Sequence, residues 1–145
     1  MNRHEFGRRT AVTGLFVSTL ALAWGRPSVA WGGTYLTSAG LLVEAGQRES
    51  DSLRRRLGDK ELAHLVHRLA ESRLSAAREM LVPREVTKAH PHLLLVLESY
   101  ERAADAALRR DGQAFLVAHN KGLEETNTLR AVLKQLGYEL PTTKA

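Results

Sequence analysis

The feature that most constrains this chain is an apolar pattern of helical period that runs from about residue 34 to residue 137. Apolar residues recur at spacings of three and four, and no stretch shows the alternation of period two that is typical of strands. Polar breaks divide the pattern into four segments, 34–57, 60–82, 91–110 and 112–137. The sequence therefore predicts an all-α domain of four amphipathic helices.

The breaks between the segments predict how the helices connect. Asp59 and Asp111 each stand directly before a helical segment, where a carboxylate can accept a hydrogen bond from a free backbone N–H. Pro83 closes the second segment, and Pro91 suits the first turn of the third. Connections this short favour antiparallel neighbours, so we expect an up-down-up-down four-helix bundle. The alternative is a pair of tetratricopeptide-like hairpins, although no second copy appears at the period of about 34 residues of that class.

Each segment has one apolar face that we expect to form the core. In the first segment the expected inner residues are Tyr35, Leu36, Ala39, Leu42, Val43, Gly46, Leu53 and Leu57. In the third they are Leu93, Leu94, Val96, Leu97, Tyr100, Ala104, Ala107 and Leu108. In the second segment the expected inner residues are Leu62, Leu65, Val66, Leu69, Ala76 and Met80. In the fourth they are Phe115, Ala118, His119, Gly122, Leu129, Val132, Leu133 and Leu136.

Residues 1–30 have the features of a cleavable export signal. Arg8 and Arg9 precede an apolar run of 13 residues at 11–23, and Ser28-Val29-Ala30 supplies the small side chains that a signal peptidase requires. The run is shorter than the roughly 20 residues that span a bilayer. We therefore expect contact with a membrane only during export. Cleavage after Ala30 would release residues 31–145 into the bacterial periplasm or the medium.

The arginine pair also resembles the twin-arginine (Tat) export signal of bacteria. In Gly7-Arg8-Arg9-Thr10 and the residues that follow, the two arginines and the apolar stretch match that signal, whereas its Phe and Lys positions are not matched. The resemblance implies export of an already folded protein, often one that carries a cofactor or travels with a partner. The alternative is an ordinary secretory signal that contains adjacent arginines.

Composition excludes several classes of function. The chain has no cysteine, which excludes disulfides, thiolate metal sites, covalent haem attachment and cysteine nucleophiles. Its net charge is +5, but residues 31–145 carry 17 basic and 15 acidic side chains with the signs interspersed, so we expect no nucleic-acid partner. No Gly-x-Ser-x-Gly, phosphate-loop or zinc-protease motif is present, so we expect no enzymatic activity.

His119 lies within the expected inner face of the fourth segment, and helical rise places Tyr100 at a similar height in the bundle. The other inward residues near that height are small, so the helices either approach closely there or leave a void. A void would make His119 and Tyr100 anchors for a small ligand, haem or metal. A packed interior would instead satisfy the histidine through Tyr100, Ser50 or Thr126. Haem held by His119 and Met80 is disfavoured, because the helical rise separates them by roughly 20 Å.

His64, His67 and Glu71 share a stripe of the second segment, at a spacing that can hold a metal. Projection at about 100° per residue places them opposite the leucines, so we expect a solvated polar face, with a metal site as the alternative. The leading hypothesis is an exported, non-enzymatic binding or accessory module for a protein partner, without a cofactor. Its alternative is a carrier of a small ligand, haem or metal in the core around His119.

Overall fold

The structure is a computed structural model that describes residues 27–143 and the side chains of residues 33–143. The described chain forms four α-helices: α1 (Pro27–Arg55), α2 (Lys60–Arg78), α3 (His90–Leu108) and α4 (Gly112–Gln135). A single 3-10 turn, Arg84–Val86, lies between α2 and α3, and no strand occurs within residues 27–143. The predicted all-α fold of four packed helices is confirmed.

Two helix boundaries differ from the predicted ones by more than two residues. α1 begins at Pro27 rather than at residue 34, so it includes the predicted cleavage site at Ala30. α2 ends at Arg78 rather than at residue 82. The arginine pair at Arg8 and Arg9 and the apolar run 11–23 lie outside the described residues, so export stays a prediction. Within the described part, no helix combines the length and apolarity needed to cross a membrane.

Aspartate side chains begin two of the helices, as predicted. The Asp59 carboxylate accepts the N–H of Leu62 at 2.9 Å, and Asp111 accepts the N–H of Ala114 at 2.9 Å. Each bond satisfies a backbone donor that has no partner inside the first turn of its helix. The predicted starts of α2 and α4 are therefore confirmed together with their physical cause.

Helix α3 is the centre of the bundle. It packs against all three other helices, most extensively against α4 and α2, whereas α2 and α4 scarcely touch each other. A helix with neighbours on several sides must bury several faces, and the buried residues of α3 are Leu93, Val96, Leu97, Ser99, Tyr100, Ala103, Ala104, Ala106 and Ala107. The alanines matter because small side chains allow the axes of packed helices to lie close together. The up-down-up-down order of the helices stays a prediction.

The predicted inner face of α2 is wrong. Leu65 and Leu69 are 58% and 42% exposed, and Ala76 is also exposed. The buried residues are instead Ala63, Val66, Ala70, Leu74 and Ala77. At about 100° per residue, the buried face is turned by roughly a quarter of a turn from the predicted one. The leucines dominate any hydrophobicity projection, but α2 contacts the central helix through alanines that permit a closer approach.

The chain after α4 folds back onto α1. Leu140 is buried, and the carbonyl oxygen of Pro141 lies so close to Gly40 that an added Cβ there would come within 2.7 Å. The Glu44 carboxylate accepts hydrogen bonds from the N–H and the hydroxyl of Thr143, both at 2.6 Å. These two bonds lower the pKa of Glu44. The segment thus covers one side of α1 that would otherwise face water.

Candidate functional site

The ring of Tyr100 fills the space that the small residues leave in the bundle. It lies between Gly46 of α1 and Gly122 of α4. A Cβ added at Gly46 would come within 2.9 Å of one edge of the ring, and a Cβ at Gly122 within 2.5 Å of the other edge. Only glycine permits such an approach at both positions. The two glycines therefore admit an aromatic ring, and the space predicted beside His119 is occupied by the protein itself.

His119 stands in a buried polar cluster that joins α4 to α1. Its Nδ1 lies 2.8 Å from the Ser50 hydroxyl, and its Nε2 lies 3.6 Å from Oδ1 of Asp51. The imidazole stacks on Phe115 with ring centroids 5.7 Å apart, and it tilts against Tyr100 at 6.5 Å. The predicted proximity of His119 and Tyr100 is confirmed, and of the three alternative partners expected in a packed interior it is Ser50 that contacts the imidazole.

Burial sets the charge state of this cluster. It lowers the pKa of His119, an effect that the Asp51 carboxylate opposes and the Arg54 guanidinium reinforces. Burial also raises the pKa of Tyr100. Burial therefore favours the neutral imidazole, whose one N–H and one free ring nitrogen can pair with the Asp51 carboxylate and the Ser50 hydroxyl. Both ring nitrogens of a nearly inaccessible histidine thus face a polar group, as buried polar groups require.

Ser50, His119 and Asp51 are the residue types of a hydrolytic triad, but their placement does not serve nucleophilic catalysis. Ser50 is 2% exposed and His119 is 1% exposed, so a substrate cannot reach the serine hydroxyl. Ser50 also lies within α1, where backbone N–H groups bond to carbonyls of the preceding turn and cannot form an oxyanion hole. The arrangement acts as a buried link between two helices.

A second histidine cluster lies where α2 meets α3. His67 and Glu71 of the predicted metal site are brought together, and their third companion is Glu101 of α3. His64 is exposed and is not one of the three. His67 does not face bulk water as predicted, because the rotation of α2 places it against α3 with 17% of its side chain exposed. Glu101 could not be identified from the sequence, since the connection 79–89 leaves the register between the two helices open.

Two further contacts join the start of α3 to its neighbours. The Tyr35 hydroxyl lies 2.9 Å from Nδ1 of His90, and burial raises the pKa of Tyr35 to about 12. Burial also lowers the pKa of His90. At the next turn, Nδ1 of His92 lies 3.8 Å from the Glu125 carboxylate, which Lys121 contacts at 2.7 Å. The contact of His90 with Tyr35 therefore links the start of α3 to α1, whereas Nδ1 of His92 has no hydrogen-bond partner among the described residues.

An open groove of about 850 Å³ runs along the outer side of α3 and α4. Small apolar residues form its floor: Ala106, Ala114 and Ala118. Charged residues of both signs form its rim: Arg102, Asp105, Arg109, Asp111, Lys121 and Glu124. Val117, at its edge, is 66% exposed. The sequence analysis did not predict this groove, because its lining combines residues of two helices whose relative position the sequence leaves open.

No protein-family model, no curated protein and no solved structure matches this chain. The functional conclusions therefore depend on the groove and on the two histidine clusters. The cluster around His119 is buried and filled, whereas the groove and the cluster around His67 are open to a partner or an ion.

Proposed function

We propose that this protein is an exported, non-enzymatic binding module whose α3–α4 groove receives a helix of a protein partner. The observation that carries the proposal is the combination of an alanine floor with a charged rim. Small floor residues allow another helix to lie close to the backbone of α3 and α4, because the separation of packed helices depends on the side chains between them. Helix-in-groove contacts of this kind are a common mode of protein recognition.

The dimensions of the groove suit a short helix. It extends along α4 from Gln113 to Glu124. With a rise of about 1.5 Å per residue, this stretch is roughly 17 Å long. The groove therefore accommodates about three turns of a partner helix.

The charged rim of the groove favours a partner that carries a carboxylate. Arg109 is held by Asp105 at 3.0 Å, and Lys121 by Glu125 at 2.7 Å. Arg102 is exposed and forms no ion pair within residues 33–143. Its guanidinium is free to bind a carboxylate at a fixed distance from the apolar floor. We therefore expect the partner helix to present small apolar residues on one face and an aspartate or glutamate beside them.

The place of action rests on the predicted export signal. Cleavage after Ala30 gives a mature chain that begins at Trp31, and the twin-arginine resemblance favours export of the folded bundle. N-terminal sequencing of protein from a periplasmic fraction tests this part. Replacement of Arg8 and Arg9 by lysine is expected to abolish export if the twin-arginine route is used, whereas an ordinary secretory signal tolerates the change.

The partner proposal is tested by photocrosslinking from the groove in the exporting cell. A photoreactive phenylalanine analogue at Val117 is expected to capture a partner. The same analogue at Leu81, which is 79% exposed but outside the groove, provides the control. A synthetic peptide of the captured segment then binds the purified protein, and Val117→Glu weakens this binding at least tenfold while Leu81→Glu leaves it unchanged. Crosslinks from Leu81 alone, or equal binding by both variants, would refute the groove as the binding surface.

The alternative of a carrier with its ligand beside His119 has less support. A ligand there would have to displace the Tyr100 ring from its position between Gly46 and Gly122. It would also have to break the 2.8 Å contact between His119 and Ser50. A visible absorbance band in the protein as purified, lost in His119→Leu, is the result that would favour the carrier over the binding module.

A further inference from the structure

Two glutamates converge on one imidazole at the contact of α2 with α3. Nε2 of His67 lies 3.0 Å from Oε1 of Glu101, and Nδ1 lies 3.9 Å from Oε2 of Glu71. One potential ligand atom from each residue falls within 4.8 Å of the other two. The side chains of His67 and Glu101 are 17% and 25% exposed, so two of the three groups are partly shielded from water.

Within residues 33–143, the ion pairs of this cluster join two carboxylates to a single imidazole. Other half-buried glutamates beside α2 have an arginine partner: Arg78 contacts Glu98 at 3.3 Å, and Arg73 contacts Glu49 at 2.7 Å. Within the described residues, Glu71 and Glu101 form ion pairs with His67 only. One imidazole supplies at most one positive charge against two carboxylates. A cation at this position would remove the imbalance.

We propose that His67, Glu71 and Glu101 bind a divalent transition-metal ion, for which Zn²⁺ is the reference. Imidazole nitrogen and carboxylate oxygen are both zinc ligands, at about 2.0–2.2 Å in tetrahedral geometry. Those bond lengths place neighbouring ligand atoms about 3.3 Å apart. The 3.0 Å contact of His67 with Glu101 is within a few tenths of an ångström of this separation. Glu71, whose side chain is 51% exposed, faces the other ring nitrogen, so its carboxylate must turn towards Nε2 to share the ion with Glu101.

The three ligands come from rigid positions on two helices. His67 and Glu71 are separated by one turn of α2, and Glu101 is fixed by α3. An ion held by all three would therefore fasten α2 to the central helix. Three protein ligands leave a fourth tetrahedral position for water, as in zinc sites that remain open. The site is separate from the α3–α4 groove, so the partner proposal and the metal proposal can fail independently.

The competing occupant is a proton on His67, which would make the cluster an ordinary ion-pair triad. The two are distinguished by titrating the full chain, after treatment with a chelator, with ZnCl₂ in a calorimeter. We expect one ion per chain with a dissociation constant in the micromolar range or below. With CoCl₂ we expect the intense visible absorption of tetrahedral Co²⁺. A chain that binds no ion, or binds only at millimolar concentration, overturns the proposal.

Variants locate the ion. His67→Gln and Glu101→Gln are expected to weaken Zn²⁺ binding at least tenfold, and circular dichroism confirms that each variant is folded. His64→Gln is the matched control, because His64 is an exposed histidine on the same helix that lies outside the cluster. Its affinity is expected to remain within twofold of the parent chain. Loss of binding in His64→Gln with retention in Glu101→Gln would place the ion on the exposed His-x-x-His pair and refute the assigned site.

Discussion

Substitution of Gly122 by alanine tests the central packing feature of the bundle. In an unobstructed helix interior, replacing glycine by alanine stabilises the fold by about 1 kcal/mol, because alanine loses less backbone entropy. At Gly122 the new methyl group would lie 2.5 Å from one ring carbon of Tyr100 and 2.9 Å from two others. Carbon atoms pack best at about 3.5–4.0 Å. The overlap is therefore about 1 Å at the closest atom.

The Tyr100 ring cannot move away from this overlap. On its other edge it touches α1 at Gly46, where even a Cβ would come within 2.9 Å of the ring. Overpacking of this kind costs typically 1–3 kcal/mol, and we expect the upper end here because both sides of the ring are confined. After subtraction of the gain in helix propensity, the net loss in the free energy of unfolding is about 2 kcal/mol. For a domain of this size, that loss corresponds to a fall in Tm of about 8 °C.

The assay is urea unfolding followed by circular dichroism, with Gly33→Ala as the matched control. Gly33 also lies within a helix, but an added Cβ there meets nothing within 4 Å. The control is therefore expected to be neutral or stabilising by up to about 1 kcal/mol. When Gly122→Ala is introduced into a Tyr100→Leu protein, its cost in the free energy of unfolding should disappear, because the ring that the methyl group overlaps is gone. A Gly122→Ala protein as stable as the Gly33→Ala protein would show that the ring does not occupy this position.

Two further predictions concern α2 and the buried histidine. Leu74→Ala is expected to lower the free energy of unfolding by about 2–4 kcal/mol, because Leu74 is 7% exposed. Leu65→Ala should change it by no more than about 0.5 kcal/mol, because Leu65 is 58% exposed. Similar losses for the two variants in urea unfolding would contradict the orientation of α2. Burial lowers the pKa of His119 below its ordinary value of 6.5, so the unfolded chain binds more protons below that pH. The stability that neutral His119 contributes is complete above pH 6.5 and is lost as pH falls through the folded-state pKa. Between pH 8 and pH 5 the free energy of unfolding should therefore fall, and it should fall less in a folded His119→Gln protein. An equal fall in the two proteins would assign the effect to other groups, including His90.

Local signals in the sequence were sufficient for the existence of the four helices and for the starts of α2 and α4. A carboxylate one residue before a helix satisfies a backbone N–H wherever the helix then packs, so Asp59 and Asp111 could be identified as caps without tertiary information. The same holds for the apolar stripes of α1, α3 and α4. All the residues expected inward on these helices are buried or half-buried, although α3 also buries Ser99, Ala103 and Ala106 on further faces. The proximity of His119 to Tyr100 also followed, because both lie on those stripes, whereas the choice between a void and a packed interior stayed open.

The orientation of α2 required the tertiary structure. Its leucines and its alanines define two competing faces, and hydrophobicity favours the leucines. The alanine face is buried because α3, which all other helices contact, offers small side chains and allows close approach. The position of Glu101 beside His67 depends on this rotation and on the register of two helices joined by a long connection. Neither quantity is encoded in the periodicity of one segment.

The amino-acid sequence by itself determined that this chain forms four helices, where the last three of them begin, and which residues form most of the buried face in three of them, because these properties follow from interactions within a few residues. Only the tertiary structure decided the contents of the interior and the open sites. It placed an aromatic ring between two glycines, a groove along α3 and α4, and two carboxylates on one imidazole. Each of these depends on the distance, rotation or register between helices that are far apart in the chain.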